Sequence, residues 1–182
     1  MVRPRPRCLR RRRPASQARL LHSMDFIWSP WRYDYLASTD KKPPSCVFCI
    51  GDDRSRDADK LIVLRGIHNF IILNLFPYTS GHTMVAPYQH LETITEAKPE
   101  QLSEMMELAQ HIIRALQKLY SPNGFNIGMN LGQAAGAGIR EHFHLHVVPR
   151  WIGDSNFVNV TGETRVLPEE LHRTYERMKA AL

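Results

Sequence analysis

Three histidines that alternate with apolar residues constrain the fold of this chain more than any other stretch. Residues two apart on a β-strand share one face and lie roughly 6–7 Å from each other along the strand. The spacing therefore predicts a strand with His142, His144 and His146 on one face. The residues between them turn to a core: Phe143, Leu145 and Val147. A row of imidazoles contributes little to packing, so we interpret it as a site for proton and phosphate chemistry or for a metal.

The charge of the chain is divided unevenly, which bears on its partners. The formal net charge is +6, but residues 1–23 hold eight arginines and no acid, leaving 16 of the 24 basic residues against all 18 acidic ones. This remainder, with a net charge of about −2, argues against a nucleic-acid-binding body. No apolar run is long enough to cross a bilayer, and three cysteines do not make a disulfide framework. We expect a soluble, cytoplasmic protein.

The first 45 residues divide into two segments. Residues 1–23 alternate Arg, Pro and Ser and cannot bury enough apolar surface to fold, so we predict a disordered arm and expect the protein from Met24 onward to fold without it. Three interpretations of the arm stay open: a start at Met24, a basic tail touching nucleic acid or membrane, and an organellar transit peptide. Residues 24–45 form an aromatic segment and linker, which we expect to pack on the body or on a subunit partner.

The rest of the chain predicts an α+β fold with an antiparallel sheet of about five strands. Four strands are expected besides the histidine strand, at 61–64, 69–73, 82–86 and 125–131. We place the main domain at residues 46–155 and a C-terminal extension with a helix at 156–182.

Two helices complete the prediction. The long one begins at Pro99 and stops before Asn123 and Gly124. Glu100 and Glu104 suit the positive end of its dipole. Its apolar stripe at helical spacing includes both Met105 and Met106 as core residues, whereas His111 falls off the stripe. The second helix is predicted from Pro168 to Leu182.

A glycine-rich loop, residues 132–139, directly precedes the histidine stretch. Gly136 and Gly138 allow backbone amides to approach an anion closely, as phosphate-binding nests require. The loop is neither a Walker motif nor a dinucleotide fingerprint. With the histidines, it predicts nucleotidyl chemistry without a catalytic metal: His144 attacks an α-phosphorus, His146 donates to a phosphate or leaving-group oxygen, and amides of 136–139 offset the charge.

The pair Cys46 and Cys49 is a second candidate site. A tetrahedral zinc site would need two more ligands, for which His90 and His142 are the leading candidates and three histidines are weaker ones: His82, His68 and His22. A redox disulfide is the rival interpretation, although that motif belongs at the start of a helix in a thioredoxin-like setting. An ordinary turn without a special role is the third.

The histidine stretch and the Pro149-Arg150-Trp151 that follows it resemble the signature of the histidine triad (HIT) superfamily of nucleotide hydrolases and transferases. The resemblance covers roughly residues 46–155 and includes three upstream stretches, 74–78, 81–87 and 130–132. The aromatic opening at 28–32 and Trp151 are similar to the bacterial branch related to diadenosine tetraphosphate phosphorylases.

The resemblance implies an α+β fold that dimerises through the long helix and an edge strand. It implies a catalytic triad of His142, His144 and His146, in which His144 carries a transient AMP and His146 contacts phosphate. Six further nucleotide contacts are implied, with ribose for the first residue and with phosphate for the others: Asn74, Asn130, Gly136, Ala137, Gly138 and Ile139. A structural zinc is implied on four ligands: Cys46, Cys49, His90 and His142.

The loop departs from the family pattern, which has Ala-Gly-Gln-Ser/Thr and two more residues before the first histidine. Here residues 137–141 make it one residue longer and remove the polar pair. We therefore expect an enzyme that cleaves a dinucleoside polyphosphate and resolves the adenylated histidine with phosphate, held by loop amides and by Arg140 or Arg150. The alternatives are a HIT-family hydrolase of nucleotide phosphoramidates or dinucleoside polyphosphates, which uses water, and a non-catalytic nucleotide-binding protein.

Overall fold

Five antiparallel strands and two helices build the fold, in a computed structural model that describes residues 46–154 and 169–182. The sheet order is β1-β2-β3-β5-β4, and every neighbouring pair is antiparallel. The strands are β1 Ile62–Arg65, β2 Asn69–Leu73, β3 Thr83–Pro87, β4 Gly124–Gly128 and β5 Leu145–Arg150. The helices are α1 Pro99–Tyr120 and α2 Leu171–Ala181. This confirms the predicted fold class, while the arm 1–23 and the aromatic segment 24–45 lie outside the described residues.

The two faces of the sheet carry different clusters, because alternate residues of each strand point to opposite sides. One face packs under the helices, and its core includes Phe143, Leu145 and Val147, as predicted. The opposite face carries a smaller apolar cluster of seven residues: Phe48, Ile50, Ile62, Phe70, Ile72, Met84 and Ala86. The histidines alternate with the first group, so they belong to the face of the smaller cluster.

Several element boundaries differ from the predicted ones. β5 begins at Leu145, so only His146 of the three histidines lies within the strand. The chain before it is extended but pairs with a loop, since the amide of Phe143 donates to the carbonyl of Leu91 at 2.8 Å. β4 ends at Gly128, three residues before the predicted end. α2 begins at Leu171 rather than at Pro168, which lies outside the described residues.

The long helix begins at Pro99, as predicted, and ends with Ser121 in a left-handed cap at φ 46°. The prediction that both methionines are core residues was wrong. Met105 is 1% exposed, whereas Met106 is 50% exposed. Successive helical residues are about 100° apart around the axis, so the narrow face that meets the sheet cannot take both. His111 is exposed, in agreement with its position off the stripe.

Glu104 holds the turn between β1 and β2. Its carboxylate accepts hydrogen bonds from the amides of Ile67, His68 and Asn69 at 2.6–2.8 Å, and from Nδ2 of Asn69 at 2.8 Å. A Cβ atom at Gly66 would lie 2.7 Å from this carboxylate, which explains the glycine. Burial by itself would raise the pKa of Glu104, but the four hydrogen bonds lower it below its usual 4.5.

We predict that Glu104→Gln lowers the free energy of unfolding by about 1–2 kcal/mol at pH 7, because an amide accepts these hydrogen bonds less well than a carboxylate. Folding lowers the pKa of Glu104, so the carboxylate contributes stability above its unfolded value and loses that contribution as the pH falls through the folded one. The gap between wild type and variant in urea unfolding should therefore narrow toward pH 3. Glu107→Gln, at an exposed position of the same helix, is the matched control.

The C-terminal helix is part of the main core, since Tyr175 and Met178 are buried in the cluster beneath α1. Glu169, just before the helix, accepts hydrogen bonds from the Tyr120 hydroxyl, from Thr174 and from Arg177. These contacts join α2 to α1 across the sequence. Neither helix of the described residues has the length and apolarity that a membrane crossing requires.

Candidate active site

His144 lies against His146, and Phe48 packs against both His142 and His144. The ring centroids of His144 and His146 are 4.7 Å apart, and the Phe48 ring lies 5.4 Å from His142 and 4.7 Å from His144. His142 and His144 are buried, and His146 is half-buried. The structure thus brings together the three residues that the alternation singled out, with a phenyl ring packed beneath two of them.

His144 has the geometry of a nucleophile. Its Nδ1 lies 3.1 Å from the backbone carbonyl of His142, so the Nδ1 proton is donated there and the lone pair stays on Nε2. Burial lowers the pKa of His144, and the hydrogen bond to the His142 carbonyl opposes that shift only in part. At neutral pH the imidazole is therefore uncharged, with Nε2 available for attack.

His82 is a site residue that the sequence analysis treated only as a weak metal candidate. It is 1% exposed, and its Nε2 lies 2.9 Å from Nδ1 of His146. The amide of Tyr78 donates to Nδ1 of His82 at 3.1 Å, so the His82 proton sits on Nε2 and is donated to His146. His146 then carries its own proton on Nε2. A backbone amide thus sets the tautomers of two successive imidazoles.

The register of the sheet explains why His82 reaches His146. Met84 of β3 pairs with His146 of β5, and His82 stands two residues before Met84 on the same face. Knowledge of the register between β3 and β5 would therefore have identified His82 as a neighbour of His146. Asn74, the predicted ribose contact, lies beside this pair, with Nδ2 3.3 Å from Nδ1 of His82.

We predict that His82→Leu changes the tautomer of His146, because Nδ1 of His146 loses the donor that keeps it unprotonated. Nitrogen-15 NMR of the imidazoles should show the proton of wild-type His146 on Nε2 and a mixture of tautomers in the variant. His82→Gln, whose amide can still donate, should stay closer to the wild type. An unchanged His146 tautomer in His82→Leu would contradict this account.

The glycine-rich loop uses part of its own hydrogen-bonding capacity. Gly136 adopts the left-handed region at φ 79°. Its amide donates to Gln133 at 2.9 Å, and the amide of Ala137 to Gly132 at 3.4 Å. The predicted phosphate contact of the loop therefore rests on Gly138 and Ile139. Asn130, the other predicted phosphate contact, lies two residues after β4, where this loop begins.

The four predicted metal ligands lie together. The donor atoms of Cys46, Cys49, His90 and His142 all fall within 4.8 Å of one another. The Sγ to Nδ1 distances are 3.4 Å from Cys46 to His142, 3.3 Å from Cys49 to His90 and 4.0 Å from Cys49 to His142. Tetrahedral zinc bonds to sulfur and nitrogen imply separations of roughly 3.3–3.8 Å, so the two shorter distances match such an ion and the third is slightly longer.

The protonation of His142 also suits a metal ligand. Its Nε2 lies 2.8 Å from the carbonyl of Pro87, which accepts a hydrogen bond from the protonated Nε2. Nδ1 is then unprotonated and faces the cysteines. Burial lowers its pKa to about 4, so the ring is neutral. Cys46 and Cys49 lie in a turn rather than at the start of a helix, which disfavours the redox interpretation. Of the weaker candidates, His82 is engaged by His146, and His22 lies outside the described residues.

With this geometry established, comparison with known proteins assigns the class. The HIT domain family matches residues 55–151, and the chain belongs to that family. It is 38% identical over 155 residues to the AP-4-A phosphorylase of Mycobacterium tuberculosis, which covers 81% of this chain and 79% of that protein. The chain is an enzyme of this family.

Solved structures agree with this assignment. A Zn-bound histidine triad family protein from Mycobacterium smegmatis superposes with a TM-score of 0.59 at 32% identity, over 75% of this chain and 92% of that one. Diadenosine triphosphate hydrolase from Plasmodium falciparum superposes with a TM-score of 0.56 at 16% identity, over 82% of this chain and 92% of that one. The second comparison supports the fold alone.

Proposed function

We propose that this enzyme cleaves a dinucleoside polyphosphate, such as diadenosine tetraphosphate, through an adenylated His144 that phosphate resolves. The observation that carries the proposal is the state of His144, whose Nδ1 is held by the His142 carbonyl and whose Nε2 bears the lone pair. The 38% identity to an AP-4-A phosphorylase supports the choice of substrate.

In the first step, Nε2 of His144 attacks the α-phosphorus. A P–N bond forms, the bond from that phosphorus to the bridging oxygen breaks, and ATP departs from diadenosine tetraphosphate. The Nε2–H of His146 donates a hydrogen bond to the departing oxygen, so ATP leaves as its anion and His146 stays neutral; the hydrogen bond from His82 holds His146 in this tautomer. Amides of the glycine-rich loop stabilise the charge on the phosphoryl oxygens.

In the second step, an oxygen of phosphate attacks the same phosphorus. The attacking oxygen of hydrogen phosphate carries no proton, so the P–N bond breaks and the electron pair returns to Nε2 of His144 without a proton transfer. The product is ADP, whose β-phosphate is the incoming phosphate. With water as the nucleophile, the corresponding product would be AMP.

The contacts of the two candidate cations favour Arg140 as the phosphate ligand. Arg150 pairs with Asp154 at 2.5 and 2.9 Å and donates to Oδ1 of Asn126 at 2.7 Å, so its guanidinium is engaged at the far end of β5. Arg140 is exposed and directly follows the loop, two residues before His142. Asn74 would hold the ribose, while Asn130 and the loop amides would contact the phosphates.

We also propose that Cys46, Cys49, His90 and His142 hold a structural zinc. The donor set and its distances support the ion, as does the Zn-bound relative at 32% identity. Zinc on these ligands would tie the Cys turn to His142, two residues before His144. The three cysteines of the sequence, too few for a disulfide framework, support the cytoplasm as the compartment. The proposal also includes a homodimer through α1 and an edge strand of the sheet.

Elemental analysis of protein purified without chelator should find about one zinc per chain. Cys49→Ser should lose most of it, because an alcohol is a much weaker zinc ligand than a thiolate. Wild-type protein with no zinc would leave the Cys pair as an ordinary turn.

Product analysis distinguishes the two nucleophiles. Incubation with diadenosine tetraphosphate and ³²P-labelled phosphate should yield labelled ADP and unlabelled ATP. Turnover that ignores phosphate and gives AMP with ATP would favour the hydrolase instead.

The covalent step is tested by His144→Ala, which should lower kcat by roughly 10³-fold or more, because it removes the attacking nitrogen. Nucleotide binding, measured by calorimetry, should change only a few-fold. His111→Ala, a histidine on the exposed face of α1, is the matched control and should keep wild-type turnover. Retention of most of the kcat in His144→Ala would exclude the adenylated intermediate.

A further inference from the structure

A buried arginine lies at the end of the edge strand β1, outside the histidine site. The Arg65 side chain is 7% exposed, and its Nη2 lies 2.7 Å from Oδ1 of Asp57. Its Nε also donates to both carboxylate oxygens of Asp57, at 3.1 and 3.2 Å. Surface ion pairs contribute little stability, but a buried guanidinium must have its donors satisfied, so this arrangement requires explanation.

The remaining donors of Arg65 hold the backbone that follows the second cysteine. Nη1 of Arg65 donates to the carbonyl of Gly51 at 2.7 Å, and Nη2 donates to the carbonyl of Asp53 at 3.3 Å. Nζ of Lys60 donates to the carbonyl of Ile50 at 2.9 Å. The two carbonyls directly after Cys49 therefore each accept a hydrogen bond from a cationic side chain.

The same turn is held from within and by the triad. The amide of Cys49 donates to the carbonyl of Cys46 at 3.1 Å, and the amide of Ile50 to that of Phe48 at 3.0 Å. Phe48 is buried against the rings of His142 and His144. These contacts fix the middle of the turn, whereas its exit at Gly51 depends on Arg65.

We propose that Arg65 is a positioning residue for the metal site: it anchors the exit of the Cys46–Cys49 turn to β1 and so sets the affinity for zinc. The inference rests on the proposed zinc site. Cys49 is exposed, so little packing fixes its sulfur, and its position follows from the backbone on each side. The planar fork of arginine meets a carboxylate and two carbonyls at once, which lysine cannot reproduce.

The test compares zinc affinity in Arg65→Met, Arg65→Lys and a matched control. Arg56→Met replaces an exposed arginine of the same loop, whose pair with Asp59 is 3.8 Å long and solvated on both sides. Competition with a chromophoric chelator should show affinity about 10–100-fold weaker in Arg65→Met, as for other residues that orient metal ligands. Arg65→Lys should be intermediate, and Arg56→Met should match the wild type.

Hydrogen exchange in the metal-free proteins gives a readout that does not depend on zinc. The amides of residues 49–53 should exchange faster in Arg65→Met, while those of β2 and β3 stay protected. If Arg65→Met does not fold, Asp57→Asn, which weakens the same pair, should show both effects in smaller form.

Wild-type zinc affinity together with wild-type exchange in Arg65→Met would overturn the inference. So would an equal loss of affinity in Arg56→Met, which would indicate a general effect of loop charge. If the wild type binds no zinc, the zinc proposal fails, and unchanged exchange at 49–53 would then reject the anchoring role as well.

Discussion

The hydrogen bond from Nδ1 of His144 to the carbonyl of His142 is the contact on which the site depends. It leaves the lone pair on Nε2, the nitrogen that attacks in the proposed reaction, and it ties the ring of His144 to the position of His142. Both ring nitrogens of His142 are engaged elsewhere, Nδ1 toward Cys46 and Nε2 with the carbonyl of Pro87. The first histidine of the row thus acts through its backbone, and a metal on its ring would stabilise the position of its carbonyl.

A second chain of hydrogen bonds acts in the same manner on the third histidine. The amide of Tyr78 sets the tautomer of His82, and His82 sets that of His146. Both chains begin at backbone groups whose donor or acceptor character cannot change with pH. The two reactive imidazoles therefore receive opposite assignments, a lone pair on Nε2 of His144 and a proton on Nε2 of His146.

Much of this arrangement could be predicted from the sequence, because alternation along one strand is a local property. It predicted the shared face of the triad, and the Cys pair with the family resemblance predicted the cluster of Cys46, Cys49, His90 and His142. His82 was missed because its contact with His146 spans 64 residues and depends on the register of β3 with β5. The sequence placed Glu104 near the positive end of a helix dipole. In the structure its carboxylate instead accepts hydrogen bonds from the turn between β1 and β2. The sequence also offered Arg150 as a phosphate ligand, and it could not show that the Arg150 guanidinium forms an ion pair with Asp154.

The charge of the site determines how a polyphosphate could be held there. Burial lowers the pKa of His142 and His144, so neither brings positive charge at neutral pH. In the proposed reaction, the charge of the substrate would be offset by backbone amides of the glycine-rich loop and by a nearby cation, for which Arg140, directly after the loop, is the candidate. Uncharged histidines suit covalent transfer, because a protonated His144 would bind the anion well but could not attack it. Affinity for the nucleotide and reactivity toward it then reside in different residues, the loop and the histidine row.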